Sequence, residues 1–418
     1  MKIPFSPPYI DQSVVNEVVD TLKTNWITTG PKVIAMEQEV VKLTSTKAAI
    51  CVNSWTSGAI LMLKWFGVQA GDEVIIPAYT YCATALSVLH CGATPVMVDI
   101  TTDFCIDTEA VRKAITSKTK VIIAVDIAGW PCDYSKLTEI INKREIKKLF
   151  RAESLKQAIL NRILLIADAA HSLGAKTNGH AAALESDVTI FSFHAVKNVT
   201  TAEGGCICLN LPGNFDIEAE YKYLKMYTLN GQNKNAFEKS NGGGWRYDIL
   251  FQGLKINMPD ICAAIGLAQI RKYETLLLPS RKTIAFKYQK RFKEFEEFEL
   301  PPLFEHGHES SYHIYPLRIK NITEQQRDWI IDEITSKQIA VNVHFIPLPM
   351  LTYFKRLGYK IEDFPMAYDQ YSREISLPIY PQLSDTKIEY IVRAVIDAVE
   401  KILNKKIGKL ETTEVVVF

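Results

Sequence analysis

Seven short apolar runs lie between residues 48 and 209, and segments with helical spacing separate most of them. Most runs are apolar on both faces, which is typical of strands that are covered by helices on both sides of a mainly parallel sheet. The runs are Ala48–Val52, Val74–Ile76, Pro95–Val98, Val121–Val125, Ile163–Ala167, Val188–Ser192 and Gly205–Leu209. This alternation predicts an α/β fold with a mainly parallel central sheet flanked by helices.

The pattern of predicted strands and helices changes after a predicted long helix over residues 260–278. Shorter predicted strands then alternate with helices, which indicates a smaller α+β domain. These elements are the strands Tyr312–Ile319 and Val341–His344 and the helices Glu324–Lys337 and Asp385–Leu403. A chain of 418 residues commonly folds as two domains. We therefore predict a large domain over residues 1–265 and a small C-terminal domain over residues 266–418.

Two further segments stand out by composition. Residues 142–162 are basic and amphipathic and predict one added surface helix, for which a solvated face is favoured over a binding patch. Residues 230–244 form a polar, Gly-rich loop, which is typical of either a flexible connector or an active-site flap.

Charge and composition exclude several classes of protein. The 48 basic residues nearly balance the 47 acidic ones, so the chain lacks the basic excess of a nucleic-acid-binding protein. No window is apolar for long enough to cross a bilayer, and the N-terminus lacks the apolar core of a signal peptide. The eight scattered cysteines favour free thiols over disulfides or a metal site. We expect a cytoplasmic protein that holds no metal.

Lys197 lies in the segment SFHAVKNVTTAEGG (192–205), shortly after a buried apolar run. A lysine is a strongly hydrated cation, so this position is unusual unless a partner uses the amine. Desolvation and nearby cations lower the pKa of a lysine and make its neutral amine available as a nucleophile. An aldehyde-bearing cofactor is the natural partner. For this segment alone, a surface lysine without a role remains the alternative.

Asp168 follows another buried run in the segment ILLIADAAHSLGA (163–175). This is the strand end at which α/β sheets place ligand-binding groups, and a carboxylate there needs a charged or hydrogen-bonding partner. The protonated ring nitrogen of pyridoxal phosphate (PLP) is one such partner. His171 could hydrogen-bond a cofactor ring substituent or Asp168, although a lone histidine is more often structural.

A third segment, VNSWTSGA (52–59), joins a predicted strand to a predicted helix. Its hydroxyls and the backbone N–H groups of the helix N-terminus could hold a phosphate, or could simply cap the helix. Tyr81, in the next loop, could stack on a cofactor ring.

Together these segments resemble the DegT/DnrJ/EryC1/StrS family of sugar aminotransferases, which are fold-type I PLP enzymes acting on nucleotide-linked keto-sugars. The similar motifs are collinear over nearly the whole chain. They are WITTGPKVIAMEQEV (26–40), NSWTSGA, IPAYTYCATA, PVMVDI, DIAGWPCD, DAAHSLGA, SFHAVKNVTTAEGG, GLKINMPDICAAIGLAQ and ISLPIYPQL.

The resemblance implies a role for eight residues, and two more are predicted to contact the substrate. Lys197 matches the lysine that forms the Schiff base, Asp168 the partner of the pyridinium and Tyr81 the stacking aromatic. Asn257 matches an asparagine that reaches the phosphate in the neighbouring subunit, which implies a homodimer with composite active sites. Phosphate-contacting positions are matched by Thr56, Ser57 and Ser192, and substrate contacts are predicted for Thr29 and His344. His171 stands where many members have glutamine, and histidine there weakly favours a C-4 ketone.

Three departures from the family pattern concern the substrate rather than the catalytic groups. Trp55 replaces a usual Gly or Ala, which predicts a rearranged phosphate loop. The insert at residues 142–162 is long, and Asp126 replaces a frequent histidine.

The predicted reaction is transfer of an amino group from glutamate to a nucleotide-linked keto-sugar, with ping-pong kinetics because two half-reactions share one site. Lys197 argues against the sugar 3-dehydratases of the family, which carry histidine at that position. A transaminase for a cyclitol or an aromatic-precursor ketone and a non-catalytic PLP-binding regulatory protein remain alternatives. A carbohydrate-binding module would need no buried lysine.

Overall fold

The computed structural model of the protein describes residues 2–234 and 246–414. Its strands are β1 (Ala48–Val52), β2 (Glu73–Pro77), β3 (Thr94–Val98), β4 (Thr119–Val125), β5 (Leu164–Asp168), β6 (Lys176–Thr177), β7 (His180–Ala181), β8 (Val188–Ser192), β9 (Gly205–Leu209), β10 (Phe298–Glu299), β11 (Phe304–Glu305), β12 (His308–Glu309), β13 (Tyr315–Ile319) and β14 (Glu374–Leu377). All seven apolar runs between residues 48 and 209 are strands, as predicted.

Seven strands form the central sheet, in the order β1-β9-β8-β5-β4-β2-β3. Only β9 runs antiparallel to its neighbours, and every other pair in this sheet is parallel. The strands β10, β13 and β14 form a small antiparallel sheet near the C-terminus. A third sheet joins β11 and β12 to β6 and β7. The predicted α/β fold with a mainly parallel sheet is thus confirmed.

Helices cover the sheets. They are α1 (Gln12–Lys23), α2 (Pro31–Thr44), α3 (Trp55–Phe66), α4 (Cys82–His90), α5 (Thr108–Ala114), α6 (Tyr134–Asn142), α7 (Arg144–Leu149), α8 (Leu155–Leu160), α9 (Ile217–Tyr227), α10 (Asp260–Ile270), α11 (Leu278–Phe292), α12 (Glu324–Ser336), α13 (Thr352–Arg356), α14 (Pro365–Arg373) and α15 (Asp385–Glu414). None of the helices that the structure describes has the length and apolarity needed to cross a membrane.

The predicted single helix over residues 260–278 is wrong, because α10 ends at Ile270. A π-helical turn, Tyr273–Leu277, separates it from α11. Lys272 leaves the helical conformation, with φ −113° and ψ 8°, and its ammonium lies 2.6 Å from the carboxylate of Asp11. The apolar pattern runs through the break because both helices bury a face, so the pattern alone could not mark it.

The basic segment over residues 142–162 is two short helices, α7 and α8, rather than the single helix that we predicted. Ser154 separates them. Its hydroxyl oxygen accepts a hydrogen bond from the backbone N–H of Gln157 and donates one to the carbonyl of Phe66. This capping serine starts a new helix and ties the insert to the end of α3.

The predicted strand Val341–His344 is not formed, and the predicted strand Tyr312–Ile319 begins only at Tyr315. Tyr312 has a left-handed backbone, with φ 55°. The backbone N–H of His344 donates to the side chain of Glu374, 3.0 Å away, instead of to a strand carbonyl. The carboxylate of Glu374 therefore takes the place of a backbone carbonyl on a neighbouring strand, at the point where the strand was expected.

The division into a large domain (1–265) and a small one (266–418) remains a proposal. It is supported by a separate apolar cluster around β13 and β14 that runs from Ile284 to Ile402, although Ile3 from the N-terminus also packs into it. The chain position 265 itself lies within α10, which packs on α1 and α2.

Candidate active site

A cavity of about 690 Å³ opens where β4, β5 and β8 end. Parallel strands direct their carboxyl ends to one edge of the sheet, so groups that are distant in sequence meet there. Of the predicted site residues, seven line this cavity: Thr56, Tyr81, Asp168, His171, Ser192, Lys197 and His344. The other three, Ser57, Asn257 and Thr29, are not among its lining residues.

Asp168 is the last residue of β5, and its side chain is buried. Its carboxylate accepts a hydrogen bond from the hydroxyl of Thr84 at 2.8 Å and one from the backbone N–H of Ala170 at 3.3 Å. Burial raises the pKa of Asp168 to about 7, and the hydrogen bonds and the charge of Lys197 oppose that rise. A buried cation placed against this carboxylate would stabilise its ionised form.

Lys197 lies in the loop between β8 and β9 and faces the same cavity. Its backbone N–H donates to the carbonyl of His194 at 2.9 Å, which fixes the turn that carries it. Burial lowers the pKa of Lys197 to about 8, and the negative charge of Asp168 opposes that shift. The lower pKa increases the fraction of this amine that is neutral and nucleophilic near neutral pH.

His171 is buried beside the cavity, just after β5. The backbone N–H of Ala128 donates to its Nδ1 at 3.2 Å, so the ring must carry its proton on Nε2. Burial, and to a lesser degree Lys197, lowers the pKa of His171 well below its usual value. The residue is thus a neutral imidazole with one N–H donor.

A second imidazole, His313, was not among the predicted site residues, and its ring centre lies 4.5 Å from that of His171. Its Nδ1 lies 2.9 Å from the amide oxygen of Asn198, the residue after Lys197. The amide nitrogen of Asn198 donates to the hydroxyl of Tyr273, which leaves its oxygen as an acceptor. His313 therefore holds its proton on Nδ1, and its hydrogen bond to Asn198 helps to fix the loop that carries Lys197.

The N-terminus of α3 forms another wall of the cavity. Ser54 is its N-cap, and the hydroxyl oxygen of Ser54 accepts the backbone N–H of Ser57 at 3.1 Å. Ser54 and Thr56 line the cavity, whereas the hydroxyl of Ser57 accepts a hydrogen bond from that of Ser54. A Cβ atom on Gly205 would lie 2.7 Å from the backbone of Ser54, so glycine is required for this close approach. Helix N-termini of this kind bind anions.

Tyr81 is the N-cap of α4, and the residue is 59% exposed and lines the cavity. Its ring centre lies 5.7 Å from that of Phe345, which also lines the cavity. Ser192, the last residue of β8, also lines the cavity. Both positions agree with the expected cofactor contacts, which remain predictions.

Asn257 and Thr29 contact each other rather than the cavity. The amide nitrogen of Asn257 lies 2.6 Å from the hydroxyl of Thr29, which in turn donates to the carbonyl of Met258. Lys255 donates to the amide oxygen of Asn257 at 2.7 Å. The backbone of Asn257 pairs with that of Val52, at the end of β1, so the residue lies close to the α3 N-terminus of its own chain.

The side chains of Asp126 and Trp55, two of the departures from the family pattern, form hydrogen bonds with other residues of the chain. Asp126 accepts hydrogen bonds from Ser172, Tyr134 and the backbone of Cys132. The side chain of Trp55 is buried, and its indole N–H donates to the carbonyl of Ile190 in β8 at 3.0 Å.

The indole of Trp55 is expected to anchor the phosphate loop to the sheet. Trp55→Ala should lower the free energy of unfolding by about 3–5 kcal/mol, because it leaves a cavity. Trp55→Phe should cost only about 1 kcal/mol for the lost hydrogen bond, since the carbonyl of Ile190 also accepts the N–H of Ala169. Urea unfolding of the two variants measures both values.

The matched control is Trp329→Ala, because Trp329 is 47% exposed. This surface change should stay within about 0.5 kcal/mol of the wild type. Equal losses at Trp55 and Trp329 would contradict the anchoring role.

PLP has an anionic phosphate, an aldehyde and a basic ring nitrogen. The cavity presents a matching group for each: the capped N-terminus of α3, the amine of Lys197 with its lowered pKa, and the buried carboxylate of Asp168. The described residues therefore fit this cofactor. A buried aspartate with so few donors would be costly unless a cation joined it.

Comparison with known proteins identifies the family. The family model of the DegT/DnrJ/EryC1/StrS aminotransferases matches residues 8–396. The chain is 32% identical over 403 residues to the spore coat polysaccharide biosynthesis protein SpsC of Bacillus subtilis, and the match covers 95% of this chain and 97% of SpsC.

Solved structures agree with that match. The PMP form of Spr1654 of Streptococcus pneumoniae, described as a sugar aminotransferase, is 42% identical with a TM-score of 0.92, and the match covers 96% of this chain and 100% of that one. Its PLP form has also been solved, at 41% identity and a TM-score of 0.91, again covering 96% and 100%. Helicobacter pylori PseC, an aminotransferase of pseudoaminic acid biosynthesis, is 26% identical with a TM-score of 0.84 over 96% of this chain and 100% of PseC. The predicted cofactor, PLP, is confirmed. The chain thus belongs to the DegT/DnrJ/EryC1/StrS aminotransferase family.

Proposed function

We propose that the protein transfers an amino group from glutamate to the C-4 ketone of a nucleotide-linked keto-sugar, by a ping-pong mechanism. The observation that carries the proposal is the meeting of Lys197, Asp168 and the α3 N-terminus in one cavity. Binding of a sugar is supported by the relatives, since Spr1654 is described as a sugar aminotransferase and SpsC belongs to polysaccharide biosynthesis.

Lys197 has two tasks in this proposal. When PLP is bound, its conjugated ring withdraws electrons from the bond that must break. The amine of Lys197 first holds the cofactor aldehyde and, once released by the amino donor, moves a proton between the substrate carbon and the cofactor C4′. Its lowered pKa keeps the amine able to accept that proton.

Asp168 and His171 orient and polarise the bound groups. Asp168 keeps the ring nitrogen protonated, and the hydroxyl of Thr84 holds its carboxylate in place. His171 presents an Nε2–H donor, because its Nδ1 is occupied by the N–H of Ala128. The resemblance supports a C-4 ketone through this histidine.

The test is a screen of nucleotide-linked keto-sugars against the enzyme in its pyridoxamine form. Sugars with the ketone at C-4 should restore the PLP absorbance, and 3-keto isomers should do so far more slowly. Cyclitol and aromatic-precursor ketones serve as the competing substrates. Conversion of a cyclitol ketone alone would contradict the sugar proposal.

We also propose that the enzyme is an obligate homodimer in which Asn257 reaches the phosphate in the partner subunit's site, so that dissociation of the dimer releases the cofactor. In support, the side chain of Asn257 is not among the residues that line the cavity of its own chain. Its backbone lies close to its own β1, however, so an experiment must separate the two arrangements. For the predicted flap at 230–244, residues 235–245 lie outside the described residues, and the flap stays a proposal.

Mixed dimers of a Lys197→Ala chain and an Asn257→Ala chain should be more active than either mutant homodimer. If Asn257 acts across the interface, one site carries both changes and the other carries neither. If it acts within its own chain, each site carries one change and no rescue occurs. The measurement is the activity of tagged, purified mixed dimers, with wild-type and mutant chains mixed as the control. A stable and active monomer would also contradict the composite site.

A further inference from the structure

A chain of hydrogen bonds runs from the cavity to a fully buried acid that sequence analysis did not identify. His344 lines the cavity, and its Nδ1 lies 2.9 Å from the hydroxyl of Ser376 on β14. The hydroxyl of Ser376 is in turn hydrogen-bonded to the carboxyl Oε1 of Glu374 on the same strand. Neither Ser376 nor Glu374 is exposed at all.

Both carboxyl oxygens of Glu374 are occupied. Its Oε2 accepts the backbone N–H of His344 at 3.0 Å, while its Oε1 pairs with Ser376. The acid therefore holds His344 twice, once through the backbone and once through the side chain. The alternating direction of residues along a strand places Glu374 and Ser376 on one face of β14.

For a neutral imidazole, and with any proton of Glu374 on Oε1, this chain of hydrogen bonds has two consistent arrangements. When Glu374 is ionised it can only accept, so Ser376 donates to it, His344 donates from Nδ1 to Ser376, and Nε2 presents a lone pair. When Glu374 is protonated it donates to Ser376, Ser376 donates to Nδ1, and Nε2 carries the proton. Conversion of the second arrangement to the first releases one proton at Nε2, while the other two protons each move along one hydrogen bond.

We propose that Glu374 and Ser376 are positioning residues that set the tautomer of His344 and so decide whether its Nε2 donates to, or accepts from, an oxygen of the bound substrate. The inference rests on the proposed function in one respect, namely that the substrate is a keto-sugar lying against His344. With Glu374 protonated, His344 is a proton donor to that oxygen, and Glu374 replaces the proton through Ser376.

The surroundings of the acid favour this two-state behaviour. Burial raises the pKa of Glu374 to about 8, while the hydrogen bonds from Ser376 and the His344 backbone, and then the charges of two arginines, Arg327 and Arg318, oppose the rise. The hydroxyl of Tyr79 donates to the carbonyl of His344, and burial raises the pKa of Tyr79 well above the usual value, so it stays neutral. Glu374 thus changes charge near neutral pH, as Asp168 and Lys197 in the cavity also do, so a Glu374→Gln variant is needed to assign the switch to this acid.

The imidazole itself does not gain a charge. Burial lowers the pKa of His344 to about 3, and the charge of Lys197 adds to that effect. The neighbouring rings of His171 and His313 are also held neutral by burial. A change at Nε2 of His344 near neutral pH is therefore a change of tautomer rather than of charge.

The direct test is NMR of the PLP-loaded enzyme with ¹⁵N-labelled histidine, because the shifts of the two ring nitrogens report the tautomer without any substrate. The His344→Gln spectrum identifies the signals of His344 among the eight histidines. In the wild type, His344 should be protonated on Nε2 well below pH 8 and on Nδ1 well above it. Glu374→Gln, whose amide donates to Ser376 at every pH, should keep the proton on Nε2 throughout.

Ser376→Ala interrupts the chain and should abolish the pH dependence of the tautomer. The matched control is Ser87→Ala, which removes an equally buried hydroxyl that bonds to Ala83 within α4. It should leave the His344 titration unchanged. A wild-type His344 with one tautomer on both sides of pH 8, or a Glu374→Gln variant that still switches, would overturn the proposal.

A kinetic measurement links the tautomer to the substrate. With dTDP-, UDP- and GDP-linked 4-keto-6-deoxyhexoses as probes, the KM of the wild type should rise about 3- to 10-fold above pH 8 as the donor is lost, and that of Glu374→Gln should not. If the tautomer switches but no keto-sugar is converted, the proposed function fails and the relay stands. If a keto-sugar is converted with the same KM profile in both enzymes, the relay has no role toward the substrate and this inference fails.

Discussion

Lys197→Ala is expected to reduce transamination by at least about 10³-fold, since removal of a positioned acid–base group alone costs about 10²–10⁴-fold and this residue also holds the cofactor. The variant should still bind PLP non-covalently through the other walls of the cavity. Borohydride treatment of the wild type, which should be yellow, is expected to add the mass of the reduced cofactor to the peptide that contains Lys197. Mass spectrometry detects the adduct and the visible spectrum reports the bound cofactor, and both are measured separately from activity.

The control is Lys64→Ala, because Lys64 is an exposed lysine on the outer face of α3. It should keep the colour, the borohydride adduct and the turnover of the wild type. A wild-type protein that stays colourless after incubation with PLP would contradict the central assignment. So would an adduct on any lysine other than Lys197.

Asp168→Asn is expected to impair the reaction far more than the fold. The loss of a charged hydrogen bond to the cofactor ring costs about 1.5–3 kcal/mol, or roughly 10- to 150-fold in binding, and a ring nitrogen that is no longer held protonated slows the chemical step further. The fold should tolerate the change, because burial raises the pKa of Asp168 to about 7, so a neutral side chain is already inexpensive there. The amide can also still accept the hydrogen bond from Thr84.

Asp187→Asn is the matched contrast. Asp187 is another buried aspartate, but it forms a two-pronged ion pair with Arg162 away from the cavity. Removal of its charge should lower the free energy of unfolding and leave the visible spectrum of the bound cofactor unchanged. Asp168→Asn should instead change the spectrum and leave the free energy of unfolding nearly unchanged. Cofactor titrations, turnover and urea unfolding distinguish the two patterns. A folded Asp168→Asn enzyme with wild-type turnover would remove Asp168 from the mechanism.

The sequence by itself determined the central sheet and the family. Short runs that are apolar on both faces are typical of strands between helices, and for this reason the seven strands of the central sheet were found from their pattern. The position of Asp168 directly after such a run placed it at the ligand-binding edge. Lys197 was found because an unpaired lysine after a buried strand is costly.

Only the tertiary structure decided which side chains meet across long separations in sequence. His313 and Asn198 come together, and so do His344, Ser376 and Glu374, because loops from the C-terminal region close over the sheet edge. No local pattern encodes these contacts, and one of them, the side-chain acceptor at Glu374, replaced the strand predicted at Val341–His344. Propensity and periodicity report on the backbone and its buried face, whereas the proton positions on these histidines depend on partners that only the folded chain supplies.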